Sequence, residues 1–117
     1  MKEINIFLDD IRKCPDGFIA ARTVEEAIEL FKYNVNIISL DHDLGEENGH
    51  LRKTGYDFVK YFCLYGLKAK KIYIHTSNPR GREDMYQTLL AAQRRGFIDG
   101  SIKIYNYPID SINNGKH

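Results

Sequence analysis

A doubly wound α/β fold on a mostly parallel, five-stranded sheet is what this 117-residue sequence predicts. Short apolar runs alternate with stretches of helical periodicity, the pattern of repeated strand–helix units. Three of those runs end in ionisable or hydrogen-bonding residues. Ile4–Leu8 ends in Asp9-Asp10, Val35–Leu40 in Asp41-His42-Asp43, and Ile72–Ile74 in His75-Thr76-Ser77-Asn78. Ligands of open parallel sheets bind outside the carboxyl ends of the strands, so these endings point to one polar pocket.

The elements follow in order. Ile4–Leu8 mixes β-branched and aromatic residues between charges and reads as a buried strand. Phe18–Ala21 is a shorter strand candidate after the turn-like Pro15-Asp16-Gly17. Only seven residues separate Asp10 from Phe18, too few for a helical crossover. The first helix is therefore reduced to a turn, or the second strand is poorly formed. Thr23 followed by Glu26 makes a capping box, and Val24, Ala27, Ile28 and Phe31 continue at helical spacing to about Tyr33.

Val35–Leu40 is the third strand. Gly45–Thr54 is polar and glycine-containing, a long excursion beside the Asp41 cluster of the kind that often carries function. Phe58, Val59, Phe62 and Cys63 give the next helix its buried face, and Gly66 ends it. Ile72–Ile74 is the fourth strand. Met85, Leu89, Leu90 and Ala92 mark a helix that begins near Glu83 and closes near Arg94-Arg95-Gly96. Ile102–Tyr105 is the fifth strand, and 109–117 reads as a loosely held tail.

At this length the chain is one domain with a core that needs no staples. A formal net charge of +1 and the lack of a lysine/arginine block give no extended nucleic-acid surface, and no apolar run is long enough to span a membrane. The first strand begins almost at once, so no signal peptide is expected. Cys14 and Cys63 form neither CxxC nor a zinc spacing, which suggests a reduced, cytoplasmic protein.

The arrangement resembles the receiver domain of two-component signalling. There an acidic pair follows the first strand, a phospho-accepting aspartate ends the third, Thr/Ser follows the fourth and Lys-Pro the fifth. Asp9-Asp10, Asp41 and Thr76/Ser77 fit. The fifth strand departs: Asn106 or Tyr107 stands where the lysine belongs, and Lys103 lies inside the strand. A closer resemblance is to the cyclic-phosphate processing receiver domain family. It rests on Leu8-Asp9-Asp10-Ile11-Arg12, Leu40-Asp41-His42-Asp43-Leu44-Gly45 and Ile74-His75-Thr76-Ser77-Asn78-Pro79-Arg80-Gly81-Arg82, with Ala21-Arg22-Thr23 and Thr54-Gly55-Tyr56-Asp57 also matching over roughly residues 4–95. Phe18 departs, because tryptophan is commoner there. The resemblance implies a receiver-like, flavodoxin-like three-layer sandwich that binds or processes a nucleotide-derived cyclic phosphate.

Asp9, Asp10, Asp41 and Asp43 would crowd carboxylates at adjacent strand ends. Such a cluster repels itself, so a member protonates or a cation sits among them. Hard oxygen donors favour Mg²⁺, making these four the expected metal ligands. Alternatively, some aspartates cap turns or pair with Arg12, Arg22 or Lys13. His42 and His75 are the expected acid–base pair for opening a cyclic phosphodiester, and Asp41 is counted with them as catalytic.

Ser77, Asn78, Arg80 and Arg82, ahead of the helix at Glu83, are expected to hold phosphate together with Arg12. His50 and His117 receive no role. Tyr107 is a candidate stacking surface and Asn106 a candidate pocket wall in place of the receiver lysine. Three readings compete: a Mg²⁺-assisted cyclic phosphodiesterase, a binding module without turnover, and a receiver phosphorylated on Asp41.

Overall fold

The computed structural model describes residues 2–109. Most of the expected tail, from residue 110 onward, lies outside the described residues. The main sheet holds β1 (Glu3–Leu8), β2 (Ile19–Ala21), β3 (Asn34–Leu40), β6 (Lys71–Ile74) and β7 (Lys103–Tyr105). Their order is β2-β1-β3-β6-β7, and every pairing is parallel. This is the flavodoxin-like order, in which the ligand crevice opens where the winding reverses, between β1 and β3.

Both alternatives for the short first connection are realised. No helix links β1 to β2, and β2 is only three residues long. The Asn5 amide ties the connecting turn to the sheet through the Gly17 carbonyl at 3.3 Å.

Helix α1 (Val24–Glu29) starts at Thr23, whose hydroxyl accepts from the Glu26 amide at 3.2 Å. The Glu26 carboxylate reaches one residue further back than a capping box requires, to the Arg22 amide at 2.7 Å. The predicted helix to Tyr33 is completed by a 3-10 turn, Leu30–Lys32. Helix α2 (Gly55–Tyr65) has a full capping box: the Asp57 amide donates to Thr54 Oγ1, and the Thr54 amide donates to Asp57 Oδ2. Gly66 closes α2 in the left-handed conformation, with φ of 59°.

Helix α3 (Pro79–Arg94) corrects the expected start near Glu83. Proline is favoured at the first helical position, and the Asn78 side chain accepts from the Gly81 amide at 3.0 Å. Asn78-Pro79 therefore starts the helix instead of turning ahead of it, which puts Arg80 and Arg82 in the first turn.

Alternation along the strands separates the two sheet faces. Ile6, Leu8, Ile38, Leu40, Ile72 and Ile74 form one core with the buried residues of all three helices. The helices neighbour one another in chain order as a single layer. The opposite face carries Phe7, Ser39, Tyr73 and Tyr105 in one register row. Among the described residues the first crossover contributes no helix to that face.

The Gly45–Thr54 excursion is shorter in effect than its length suggests. Glu46–Glu47 (β4) and His50–Leu51 (β5) pair as an antiparallel hairpin. Asn48 and Gly49 both take positive φ, 55° and 78°, as a tight hairpin turn demands.

Candidate active site

The strand ladder continues one residue past three strand ends. Asp9 donates its amide to the Ala21 carbonyl at 3.0 Å, Asp41 to Leu8 at 2.9 Å, and His75 to Leu40 at 2.9 Å. Each lies two positions beyond a member of the Phe7–Ser39–Tyr73 row. Period two therefore sends Asp9, Asp41 and His75 to the same face. One potential ligand atom from each lies within 4.8 Å of the others.

Asp9 is the hub. Its Oδ1 accepts from the amides of Ile11 at 3.0 Å and Arg12 at 2.8 Å. Its Oδ2 faces the Arg12 guanidinium at 2.8 Å and His75 Nε2 at 2.9 Å. Burial alone would raise the Asp9 carboxyl pKa, but these hydrogen bonds outweigh it and hold it at about 2. Arg12 Nη1 also lies 3.4 Å from Asp41 Oδ2, so one guanidinium spans two carboxylates. The aspartate–arginine pairing weighed from sequence is therefore realised in Arg12. Arg22 braces the same bend, donating Nη1 to the Asp9 and Arg12 carbonyls at 2.9 and 2.8 Å.

His75 is held on every side. Its ring stacks on Phe7, with centroids 4.5 Å apart and planes 7° from parallel. An ionised Asp9 can only accept, which places the ring proton on Nε2. Nδ1 then accepts from the Ser39 hydroxyl at 2.6 Å. Burial lowers the His75 pKa against the opposing pull of Asp9, which favours this neutral tautomer. Both ring nitrogens are occupied.

His42 is placed differently. Its Nδ1 lies 2.9 Å from Asp43 Oδ1, and the pair holds the Asp43 carboxyl below its usual range. Among the described residues, no hydrogen bond engages its Nε2. The ring packs on α3 at Gly81, where a Cβ would come within 2.5 Å of it. Gly55 meets a similar limit, since a Cβ there would overlap the Asp41 carbonyl oxygen.

A cavity of about 300 Å³ opens beside this network, lined by Asp10, Ile11, Arg12, Asp41, Asp43, Gly45 and Ser77. Three carboxylates, one guanidinium and one hydroxyl thus share a single space. A larger concavity, about 640 Å³, opens at the amino-terminal edge of the sheet; it gathers Lys68, Lys70, Lys71 and Lys103 and none of the acidic–histidine set. Lys103 opposes Lys71 at that far edge, so it cannot act as the receiver lysine.

A family model described as the cyclic-phosphate processing receiver domain matches residues 4–91. The chain belongs to that family. No curated protein and no solved structure matches it.

Within this cyclic-phosphate processing receiver domain, the expected site residues sort into three groups. Asp9, Asp41 and His75 form the buried network, with Arg12 bridging from it to the cavity. Asp10, Asp43 and Ser77 line the cavity outside that network. Asn78 Nδ2 donates to Asp43 Oδ2 at 3.3 Å from the rim. Arg80 is exposed and Arg82 is partly buried. Arg82 Nη2 donates to the Thr76 carbonyl at 2.8 Å, bracing the turn after β6. Neither arginine lines the cavity. His42 and His75 were expected to face one crevice; the structure puts His75 in the network and His42 against α3, with neither lining the cavity.

Sequence reasoning gave no role to Ser39, Phe7 or the two close-approach glycines, and named Arg22 only as a possible partner for an aspartate. Ser39 had a signal: it is the polar residue in Val35–Leu40 two positions before Asp41. Tyr107 joins Tyr73 and Tyr105 in an aromatic group at centroid distances of 6.3 and 5.4 Å, and Asn106 is exposed.

Proposed function

We propose that this domain binds and hydrolyses a nucleotide-derived cyclic phosphate at the strand-end cavity, with Mg²⁺ assisting. The observation that carries this reading is the composition of the cavity wall. Asp10, Asp41 and Asp43 face the same space as Arg12 and Ser77. A phosphate cannot approach three carboxylates without a cation to separate them. The donors are hard oxygens, which suit a small divalent ion that keeps waters and shares a substrate phosphate. Asp10, Asp41 and Asp43 would hold it from the cavity and Asp9 from the network behind. When bound, such an ion neutralises phosphoryl charge and polarises the phosphorus centre.

The remaining tasks fall to the chain's own groups. Arg12 presents a fork that suits phosphate oxygens, and the Ser77 hydroxyl can donate beside it. The cavity is at the small end for ligand sites, so it takes the phosphate ring and leaves the nucleoside over the exposed rim, where Ile11 is 84% exposed. Ring opening adds water to phosphorus, breaks one ester P–O bond and leaves a monoester and a protonated hydroxyl. Of the two histidines His42 is the better proton carrier: its Nε2 is uncommitted, and its Nδ1 lies 2.9 Å from Asp43, which lines the cavity where His42 itself does not. His75 acts as a positioning residue for Asp9. The commitment of both His75 nitrogens also favours a second reading, a module that binds the same ligand without turnover.

Phosphorus NMR of nucleoside 2′,3′-cyclic phosphates and ADP-ribose cyclic phosphate, with and without Mg²⁺, tests both readings. Conversion to a monoester that needs protein and Mg²⁺ supports hydrolysis, and shifted or broadened lines without conversion support binding alone. Unperturbed lines across the panel overturn both. His42→Gln should abolish conversion while the ligand still binds.

A further inference from the structure

We infer that Arg12 is a built-in cation for the site, which a divalent ion must displace and which then passes to the ligand phosphate. This inference rests on the cation-assisted reading above. Asp9 and Asp41 bring two buried carboxylates within reach of one centre, an arrangement that needs a positive charge to remain ionised. Arg12 supplies it, with Nη1 at 2.8 Å from one carboxylate and 3.4 Å from the other.

The exposures of the partners are unequal. The Arg12 side chain is 43% exposed, whereas those of Asp9 and Asp41 are 0% and 9%. The carboxylates are fixed parts of the interior, and the guanidinium enters from outside.

The Arg12 backbone is fixed too. Its amide donates to Asp9 Oδ1, and Arg22 holds its carbonyl. Only the side chain has to move, by rotation about its own torsions. The space next to it is the cavity that Arg12 already lines with Ser77. Displacement therefore moves the guanidinium from two carboxylates to the position where a phosphate would lie, with no backbone change.

Two consequences follow. Arg12 competes with the divalent ion, so the ion binds more weakly than its carboxylates alone would allow. Phosphate relieves that competition by giving the displaced guanidinium a partner, so ion and phosphate bind with positive coupling. The same residue that weakens the metal site makes it responsive to the ligand.

Calorimetric titration with Mg²⁺, alone and with inorganic phosphate, tests this on the wild-type chain and on Arg12→Gln. The variant should bind Mg²⁺ on the order of tenfold more tightly in the absence of phosphate. Phosphate should strengthen Mg²⁺ binding to the wild type by a clearly larger factor than to the variant, in which only direct contact between ion and phosphate couples the two. Arg12→Lys keeps a charge for folding but presents a point ammonium in place of the fork, and should fall between the two. If wild type and both variants bind Mg²⁺ with equal affinity, the Arg12 inference is overturned while the cation reading stands. If none of the three binds Mg²⁺, with or without phosphate, the cation reading itself fails and this inference fails with it.

Discussion

The two histidines next to the acidic cluster are held by different partners, one inside the network and one beside the rim. His75 lies in a buried network where Phe7, Ser39 and Asp9 each fix one aspect of the ring, leaving no nitrogen free. His42 is only 18% exposed itself, packed on Gly81 of α3 and tied on one side to Asp43 at the rim, whose side chain is 67% exposed. The interior network is stabilising because every member has a partner, and it is costly to break for the same reason. The rim, where Asp43 is exposed, is cheaper to alter. The family motif spans both, so near neighbours such as Asp41 and Asp43 sit in different surroundings.

The sharpest way to separate them is to remove one carboxylate from each. Asp9→Asn takes the charge from a hub that serves Arg12, His75 and two amides. It should cost about 3 kcal/mol in urea unfolding, the scale for breaking a buried charged pair. Asp43→Asn at the rim should stay within roughly 0.5 kcal/mol of the wild type. Equal costs would mean that the interior and rim are not distinct. Gly55→Ala comes next. Its methyl would overlap the Asp41 carbonyl and lie 3.0 Å from Met85 Sδ. A loss of about 1–3 kcal/mol is expected from overpacking, with NMR shifts centred on Asp41.

Much of this organisation was legible in the sequence, and the reasons for the rest are physical. The strand ends could be read because apolar runs stop abruptly at charge, as in Ile4–Leu8 followed by Asp9. The positions of Asp9, Asp41 and His75 follow from period two once the register is known, but sequence does not supply the register. The start of α3 was misplaced because Asn78-Pro79 serves a turn or a helix start equally well, and Gly81 weighed toward the turn. Gly81 is in fact small because the His42 ring lies against it. The fate of Arg12 was undetermined for a related reason. Pairing with carboxylates and reaching for phosphate call for the same residue type at the same place.

Acid sharpens the comparison further. Hydrogen bonds hold the folded Asp9 carboxyl at about 2, below the usual aspartate value of 3.8. A depressed carboxyl contributes stability in full above its unfolded pKa, and that contribution is lost as pH falls toward the folded value. Roughly 2 kcal/mol should therefore disappear between about pH 4 and pH 2. Asp9→Asn should flatten that part of the stability–pH curve, whereas Asp43→Asn should leave most of it in place. A wild-type slope that survives in Asp9→Asn would assign the acid sensitivity to another group.

The smallest effect tests the assignment of the His75 ring. Ser39→Ala removes one hydroxyl that is 1% exposed and meets His75 Nδ1 at 2.6 Å. The loss should be about 1 kcal/mol, the net worth of one buried neutral hydrogen bond, or slightly more because Nδ1 is left unsatisfied. Nitrogen-15 NMR of the imidazole gives the sharper readout. In the wild type Nε2 should carry the proton and Nδ1 should appear as an acceptor. The Asp9 bond remains in Ser39→Ala, so the same tautomer should persist with the Nδ1 resonance shifted by loss of its donor. If the proton moves to Nδ1, then Ser39 and not Asp9 sets the tautomer.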